Sequence, residues 1–330
     1  MDRRYHGYMV GLLLILLISV IASANIGAVH LPWSSFFSFD SQNIEWQIWF
    51  NIRLPRIILA IVIGIALSVS GAVMQGLFRN PLADPGLLGI SSGAGLAVSV
   101  ALVIPMALPA FISLWLPVIA AFVGSLFVTI LIFKLSYLTK GHLSRLLLVG
   151  IAINALSGAL VGILSWVSND QQLRQLSLWG MGSLGQTKWS IVIIASLLIT
   201  VTTIIIQCYA TRLNLLQLGE EDAHYLGVDI QKTQRSLLIL SALLVGTAVS
   251  VSGIIGFVGL VIPNAVRLIL GSDHRMLLPI SALSGAILLL IADTIARTVV
   301  QPAEMPVGLL TSLLGSPWFF WLIFKQQREE

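Results

Sequence analysis

The chain carries long uninterrupted apolar runs near residues 9–28, 54–77, 86–104, 112–134, 145–167, 189–209, 236–256, 277–299 and 306–324. A helix needs roughly 20 apolar residues to cross the ~30 Å hydrocarbon core of a bilayer. Lipid offers no partner to a free backbone N–H or C=O, so a crossing segment is either a helix or part of a closed barrel. The runs lack period-two alternation, which disfavours a barrel and predicts an all-α, polytopic membrane protein. Composition agrees: 57% of the 330 residues are hydrophobic and only 10% are charged, against about 25% charged in soluble domains.

The stretch 236–270 is too long for one crossing and is interrupted by Gly253, Gly256, Gly259 and Pro263. A tenth span, short and eighth in order, is therefore expected to follow Pro263. Charge bias supports ten, because Lys and Arg concentrate in cytoplasmic loops. Ten spans place Arg3, Arg4, Arg79, Lys134, Lys140, Arg145, Arg212, Lys232, Arg235, Arg275, Lys325 and Arg328 inside, with both termini cytoplasmic. Arg53, Arg56, Arg174, Lys188 and Arg297 then fall at the outer face, and Arg267 lies in the short span. Nine spans would put Lys325 and Arg328 outside. The N-terminus, with Arg3 and Arg4 before an apolar run ending Ala22-Ser23-Ala24, has the outline of a signal peptide. An uncleaved first span explains the same pattern.

An internal echo relates the two halves. Gly64-Ile-Ala-Leu-Ser-Val-Ser-Gly71 recurs as Gly246-Thr-Ala-Val-Ser-Val-Ser-Gly253, and a proline follows ten residues later in each copy, Pro81 and Pro263. The copies lie five spans apart and so cross in opposite directions, the plan of an inverted-repeat transporter. The alternative is that small residues recur because they let helices approach closely.

Several chemistries have no residues to carry them. The net charge of +4 comes from single basic residues in short loops, not from a nucleic-acid-binding patch. Cys208 is the only cysteine and the five histidines are scattered, so no metal site is expected. No Gly-x-x-x-x-Gly-Lys-Ser/Thr loop occurs, so any ATP must be bound by another subunit. No nucleophile and base can be nominated for catalysis. Asp293 and Arg297 are four apart and can pair with each other, while Arg267 is expected to reach a helix end or backbone carbonyls. An ion-coupled carrier stays open as an alternative, although a chain of acidic relay residues is missing.

The longest polar insertion, 211–235, lies on the cytoplasmic side and contains Glu220, Glu221, Asp222, His224 and Gly227. Asp222 to Leu226 is expected to form a short helix closed by a left-handed Gly227. Such a charged helix between spans suits docking to a soluble partner, and a solvated connector is the plainer reading.

Arg53-Leu-Pro-Arg56, Gly76-Leu-Phe-Arg-Asn-Pro-Leu-Ala-Asp-Pro-Gly86, Ser91-Ser-Gly-Ala-Gly95, Leu218-Gly-Glu with Leu226-Gly227, Gly256-Phe-Val-Gly-Leu-Val-Ile-Pro263, Asp273-His-Arg275, Leu277-Leu-Pro279 and Glu304-Met-Pro-Val-Gly308 resemble the permeases of ABC importers for iron chelates, haem and cobalamin, the FecCD type. The resemblance implies one transmembrane domain over 1–330 with type II importer architecture, in a bacterial inner membrane. It also implies a second copy of the chain, two cytoplasmic ATPase subunits that bind ATP, and a periplasmic binding protein. By the same resemblance Arg53, Arg56 and Arg297 receive acidic residues of the binding protein; snorkelling to the interface is the alternative. Asn80, Leu82 and Ser144 match the cytoplasmic gate, with a structural turn the other reading of Asn80, and Glu220, Glu221, Asp222, Leu226 and Gly227 match the coupling segment. The segments 79–95, 179–185 and 297–306 look most like haem permeases, which makes haem the expected cargo and Arg174 a candidate contact for its carboxylates. No permanently bound cofactor is implied. Many relatives carry His after the proline at 263, whereas this chain has Asn264, which removes a candidate ligand there.

Overall fold

A computed structural model of the chain describes residues 3–27, 36, 42–104, 109–138, 143–185, 187–300 and 303–326. Its described elements are helices in the order α1 (Arg3–Asn25), α2 (Ile44–Ile48) continuing into a π turn (Trp49–Arg53), α3 (Leu54–Leu77), a 3-10 turn (Pro85–Leu88), α4 (Ile90–Val103), α5 (Ala110–Leu138), α6 (Leu143–Val167) and α7 (Asp170–Gly180). There follow α8 (Trp189–Cys208), α9 (Ala210–Leu218), α10 (Glu220–Tyr225), α11 (Ile230–Ser252), α12 (Val258–Leu270), α13 (His274–Val299) and α14 (Val307–Gln326). Seven helical segments are long and apolar enough to cross a bilayer, and α4, α12 and α14 supply shorter apolar helices. The ten expected crossings are thus accounted for.

The third and eighth crossings are short. α4 has 14 residues and α12 has 13, which at 1.5 Å per residue gives about 20 Å, well under the bilayer core. The eighth does not follow Pro263 as expected: it starts at Val258, and Pro263 sits inside it. The chain breaks earlier, where Gly253 (φ 69°) and Phe257 (φ 67°) both adopt left-handed backbone. Pro263 cannot donate to the carbonyl four residues back, Gly259. That carbonyl and its neighbour instead face Gln75, whose Nε2 lies 3.2 Å from Leu260 O and 3.4 Å from Gly259 O.

α3 is the axis of the bundle. Most of its residues from Pro55 to Leu77 are buried, against α13, α11, α12 and α8. Gly64 meets the backbone of Gly285 on α13 and Gly71 meets that of Gly259 on α12, so closely that a methyl group at either position would overlap a carbonyl. In lipid, where apolar contact alone gives helices no reason to associate, such backbone approach supplies the packing.

The packing pattern repeats with an offset of five crossings. α3 lies on α13 and α11 on α5; α3 lies on α12 and α11 on α4; α4 packs with α5 and α12 with α13. The repeated glycines serve equivalent contacts, Gly64 on α13 and Gly246 on Ser125 of α5. The inverted repeat and the close-approach reading therefore both hold. The echo ends at the prolines: Pro81 lies in the loop after α3, whereas Pro263 is within α12.

One end of the bundle carries an aromatic cluster in which Trp46 and Phe50 stack at 5.0 Å and Trp189 Nε1 donates to Phe50 O at 2.8 Å, the amphipathic chemistry of a membrane–water boundary. Replacing Gly71 with Ala should destabilise the protein by about 1–3 kcal/mol, the usual range for overpacking. Gly11→Ala, at a helix position with nothing within 4 Å, should leave the melting temperature in detergent unchanged; equal melting of the two variants would contradict the role given to α3.

Candidate functional site

The sequence-derived candidates gather at two opposite ends of the bundle. At the aromatic end, Pro55 in the first turn of α3 starts the helix and sets Arg56 inward. Its guanidinium grips Asp293 of α13 through Nε and Nη2, both 2.9 Å from carboxylate oxygens, while Nη1 donates to Glu304 at 2.9 and 3.0 Å. Asp293 is 1% exposed and Glu304 52% exposed. Arg297 Nη2 donates to Ser23 O at 2.5 Å and to Ser23 Oγ at 2.6 Å, and Arg53 Nη1 donates to Ala24 O. Arg53 also lies over the Trp49 ring, 5.2 Å from its centre. Two guanidiniums thus satisfy carbonyls in the last turn of α1, where a helix leaves its C=O groups unpaired and its dipole favours cations.

The expected i,i+4 pair of Asp293 and Arg297 is present, in second place. Asp293 is held chiefly by Arg56 on another helix, and Arg297 stands 3.9 Å away. The planar fork of an arginine arriving from outside the helix matches a carboxylate better than an i,i+4 neighbour does. Arg53, Arg56 and Arg297 gather at this end of the bundle, as expected, and all three are buried. A buried charge is tolerated when paired and hydrogen-bonded, and here the partners come from α1, α13 and the 303–306 segment. Glu304 is the exposed carboxylate of the cluster; it meets Arg56 across 248 residues, a contact that no local pattern signals.

Arg174 is exposed on α7, a helix the sequence reading did not anticipate. Its signal was present, since Asn169 and Gln172 form a reciprocal capping box. Gln172 Nε2 also donates to Leu102 O at 3.0 Å, which caps α4 and fixes α7 beside it.

At the opposite end, the loop after α3 holds Asn80 exposed and Leu82 half-buried. Asn80 Oδ1 accepts from Leu82 N at 2.9 Å and Asn80 N donates to Gln75 O at 3.2 Å, so Asn80 closes a turn here. Asp84 accepts from Gly86 N at 2.6 Å and starts the 3-10 turn; burial nevertheless pushes its carboxyl above the ordinary aspartate range. Ser144 lies in the first turn of α6, but its side chain is outside the described residues, as is His142. Arg267 reaches a helix end, as expected, but through a side chain: its Nη1 donates to Oε1 of Gln75 in the last turn of α3 at 3.0 Å.

The coupling candidates lie on α10, which starts at Glu220, two residues before the expected start. Ala223 is buried beneath it, while Glu221, Asp222, His224, Tyr225, Leu226 and Gly227 are exposed. Gly227 is left-handed at φ 84° as expected. Gly227 N donates to His224 O at 2.9 Å and Val228 N to Ala223 O at 3.0 Å, a Schellman closure that satisfies the helix carbonyls. Among the described residues no group of three His, Cys, Asp or Glu side chains is placed to hold a metal ion.

Residues 15–325 match the model of the FecCD transport family. The chain belongs to that family. It is 58% identical over 322 residues to the hemin transport system permease protein HmuU of Yersinia pestis, covering 97% of this chain and 96% of that protein. It is 39% identical to the vitamin B12 import system permease protein BtuC of Vibrio vulnificus, covering 98% and 96% respectively. Its fold superposes with a TM-score of 0.84 on a metal-chelate type ABC transporter solved in an inward-facing conformation, at 33% identity and covering 97% of this chain and 99% of that one. The FecCD chain is accordingly a transport subunit with the all-helical architecture of an ABC permease.

Arg56→Gln should cost about 3–5 kcal/mol, because it leaves Asp293 charged and buried without its fork. Adding Asp293→Asn should recover much of that loss, since the two residues are directly coupled. Thermal unfolding of the single and double variants in detergent measures both effects.

Proposed function

We propose that this chain is the membrane-spanning permease of an ABC importer that moves haem across the bacterial inner membrane. ATP is bound by separate ATPase subunits, and a periplasmic binding protein delivers the cargo. The observation that carries the cargo assignment is the 58% identity to a hemin permease along nearly the whole chain, against 39% to 42% to vitamin B12 and cobalamin permeases. The working unit in this reading is a pair of copies with the path between them and both termini in the cytoplasm, 1–330 forming one transmembrane domain. Haem is a flat apolar ring with two carboxylates, suited to an apolar passage, and exposed Arg174 is a cation available to those carboxylates. Asn80, Leu82 and Ser144 form the cytoplasmic gate.

The binding protein docks over the cluster of Arg53, Arg56 and Arg297. Because the cluster is buried and Arg56 is shared with exposed Glu304, an incoming acidic side chain must compete with that carboxylate. Salt should weaken such docking by screening. The ATPase docks on α10, where Tyr225 and Leu226 offer apolar contact beside the carboxylates of Glu220, Glu221 and Asp222, and the Schellman closure at Gly227 keeps the helix rigid.

Cargo is decided by reconstituting the permease with its ATPase and binding protein and comparing ATP-dependent uptake of haem, a panel of ferric siderophores, and cobalamin. Haem uptake is expected; uptake of another cargo without haem would reject the cargo and keep the importer. Combining Glu221→Lys with Gly227→Val should lower cargo-stimulated ATP hydrolysis while the permease remains folded and paired. Undiminished stimulation would remove α10 as the docking element.

A further inference from the structure

A small polar joint at the α10 end lies outside every site described above. α9 is joined to α10 at Gly219, whose backbone is not helical (φ 133°, ψ 157°), so the two helices form an arm bent at that residue. Asn214 on α9 is fastened to the start of α13 by both ends of its amide. Its Oδ1 accepts from His274 N at 2.8 Å and lies 2.9 Å from His274 Nδ1, and its Nδ2 donates to Asp273 Oδ1 at 2.6 Å. Asp273 also caps α13 by accepting from Arg275 N at 3.0 Å. The arm and the first turn of α13 are thus bonded into one piece.

The other edge of the His274 ring bears on α3. His274 is 0% exposed, and a Cβ added to Gly76 would lie 2.5 Å from its Nε2. Gly76 is in the last turn of α3, and the turn through Asn80 hangs on its neighbour Gln75 by the Asn80 N to Gln75 O bond of 3.2 Å. Gln75 is in turn held by Arg267 of α12 at 3.0 Å. The end of α3 therefore bears on the imidazole at Gly76 and is tied to α12 at Gln75.

We propose that His274 is a positioning residue that transmits displacement of the α9–α10 arm to the end of α3, and so to the 79–82 loop. Asn214 supplies the pull and Gly76 the bearing surface, while the Gln75–Arg267 latch provides the resistance against which the loop turns. Contacts this tight switch between discrete arrangements and do not deform smoothly. The ring suits the task because it is rigid and fixed in orientation by Asn214, and only glycine at 76 leaves room for it.

The inference rests on the importer reading, and its test separates the two. The complete complex is reconstituted in proteoliposomes on a Cys208→Ser background, with an environment-sensitive bimane label on a single cysteine at Arg79→Cys or His224→Cys. In the otherwise unsubstituted complex both labels should respond to ATP. With Asn214→Ala the response at 224 should persist and that at 79 should vanish, and cargo moved per ATP hydrolysed should fall roughly tenfold, a typical size for coupling between sites. Gly76→Ala, which displaces the ring without removing a hydrogen bond, should uncouple in the same way and serves if Asn214→Ala fails to assemble. A merely structural role would lower both label responses, uptake and hydrolysis in proportion to folded protein, and that result overturns the relay alone. So does a response at 79 that appears without one at 224. Absence of any ATP-driven uptake by the unsubstituted complex would overturn the importer reading, and the relay with it.

Discussion

The structure depends on how closely α3 can approach its neighbours. Lipid tails are as apolar as leucine, so helices in a bilayer associate through shape and polar contact, and not through escape from water. Gly64 and Gly71 let the α3 backbone touch those of α13 and α12. Once that axis is set, the helices packed around it bring both ends of the chain into register: Arg56 reaches Asp293, and Gly76 meets His274.

The same packing makes the broken backbone between α11 and α12 tolerable at membrane depth. Irregular backbone survives there only where protein satisfies its polar groups. Gln75 faces the Gly259 carbonyl that Pro263 cannot use and the neighbouring Leu260 carbonyl, and Ser183 N donates to Ser252 O at 2.7 Å. The short eighth crossing is thus supported from α3 on one side and from the α7–α8 connection on the other.

Charge is treated differently at the two ends. At the aromatic end three guanidiniums are drawn inward onto Asp293, Glu304 and the last carbonyls of α1. At the other end the acids of α10 stay in solvent, and at Asp273 the hydrogen bonds from Arg275 N and Asn214, with the charge of Arg275, outweigh burial and keep the carboxyl below its ordinary range. One end is closed by buried ion pairs and the other presents an accessible charged arm.

The number of crossings, the all-helical class, the inverted echo and the left-handed Gly227 were legible in the sequence because each follows from local pattern: run length, charge bias, a repeated octet, a glycine after an acidic turn. The break falls at 253–257 and not at Pro263 because Gln75, distant in the chain and adjacent only in space, faces the Gly259 carbonyl that the proline leaves without a donor. α7 carries a capping box, Asn169 with Gln172, that is itself a local pattern. The Arg56–Asp293–Glu304 cluster and the Asn214–His274–Gly76 joint could not be read at all. Each joins residues from distant crossings, and which side chain meets which is decided by helix rotation and depth, quantities that only packing fixes.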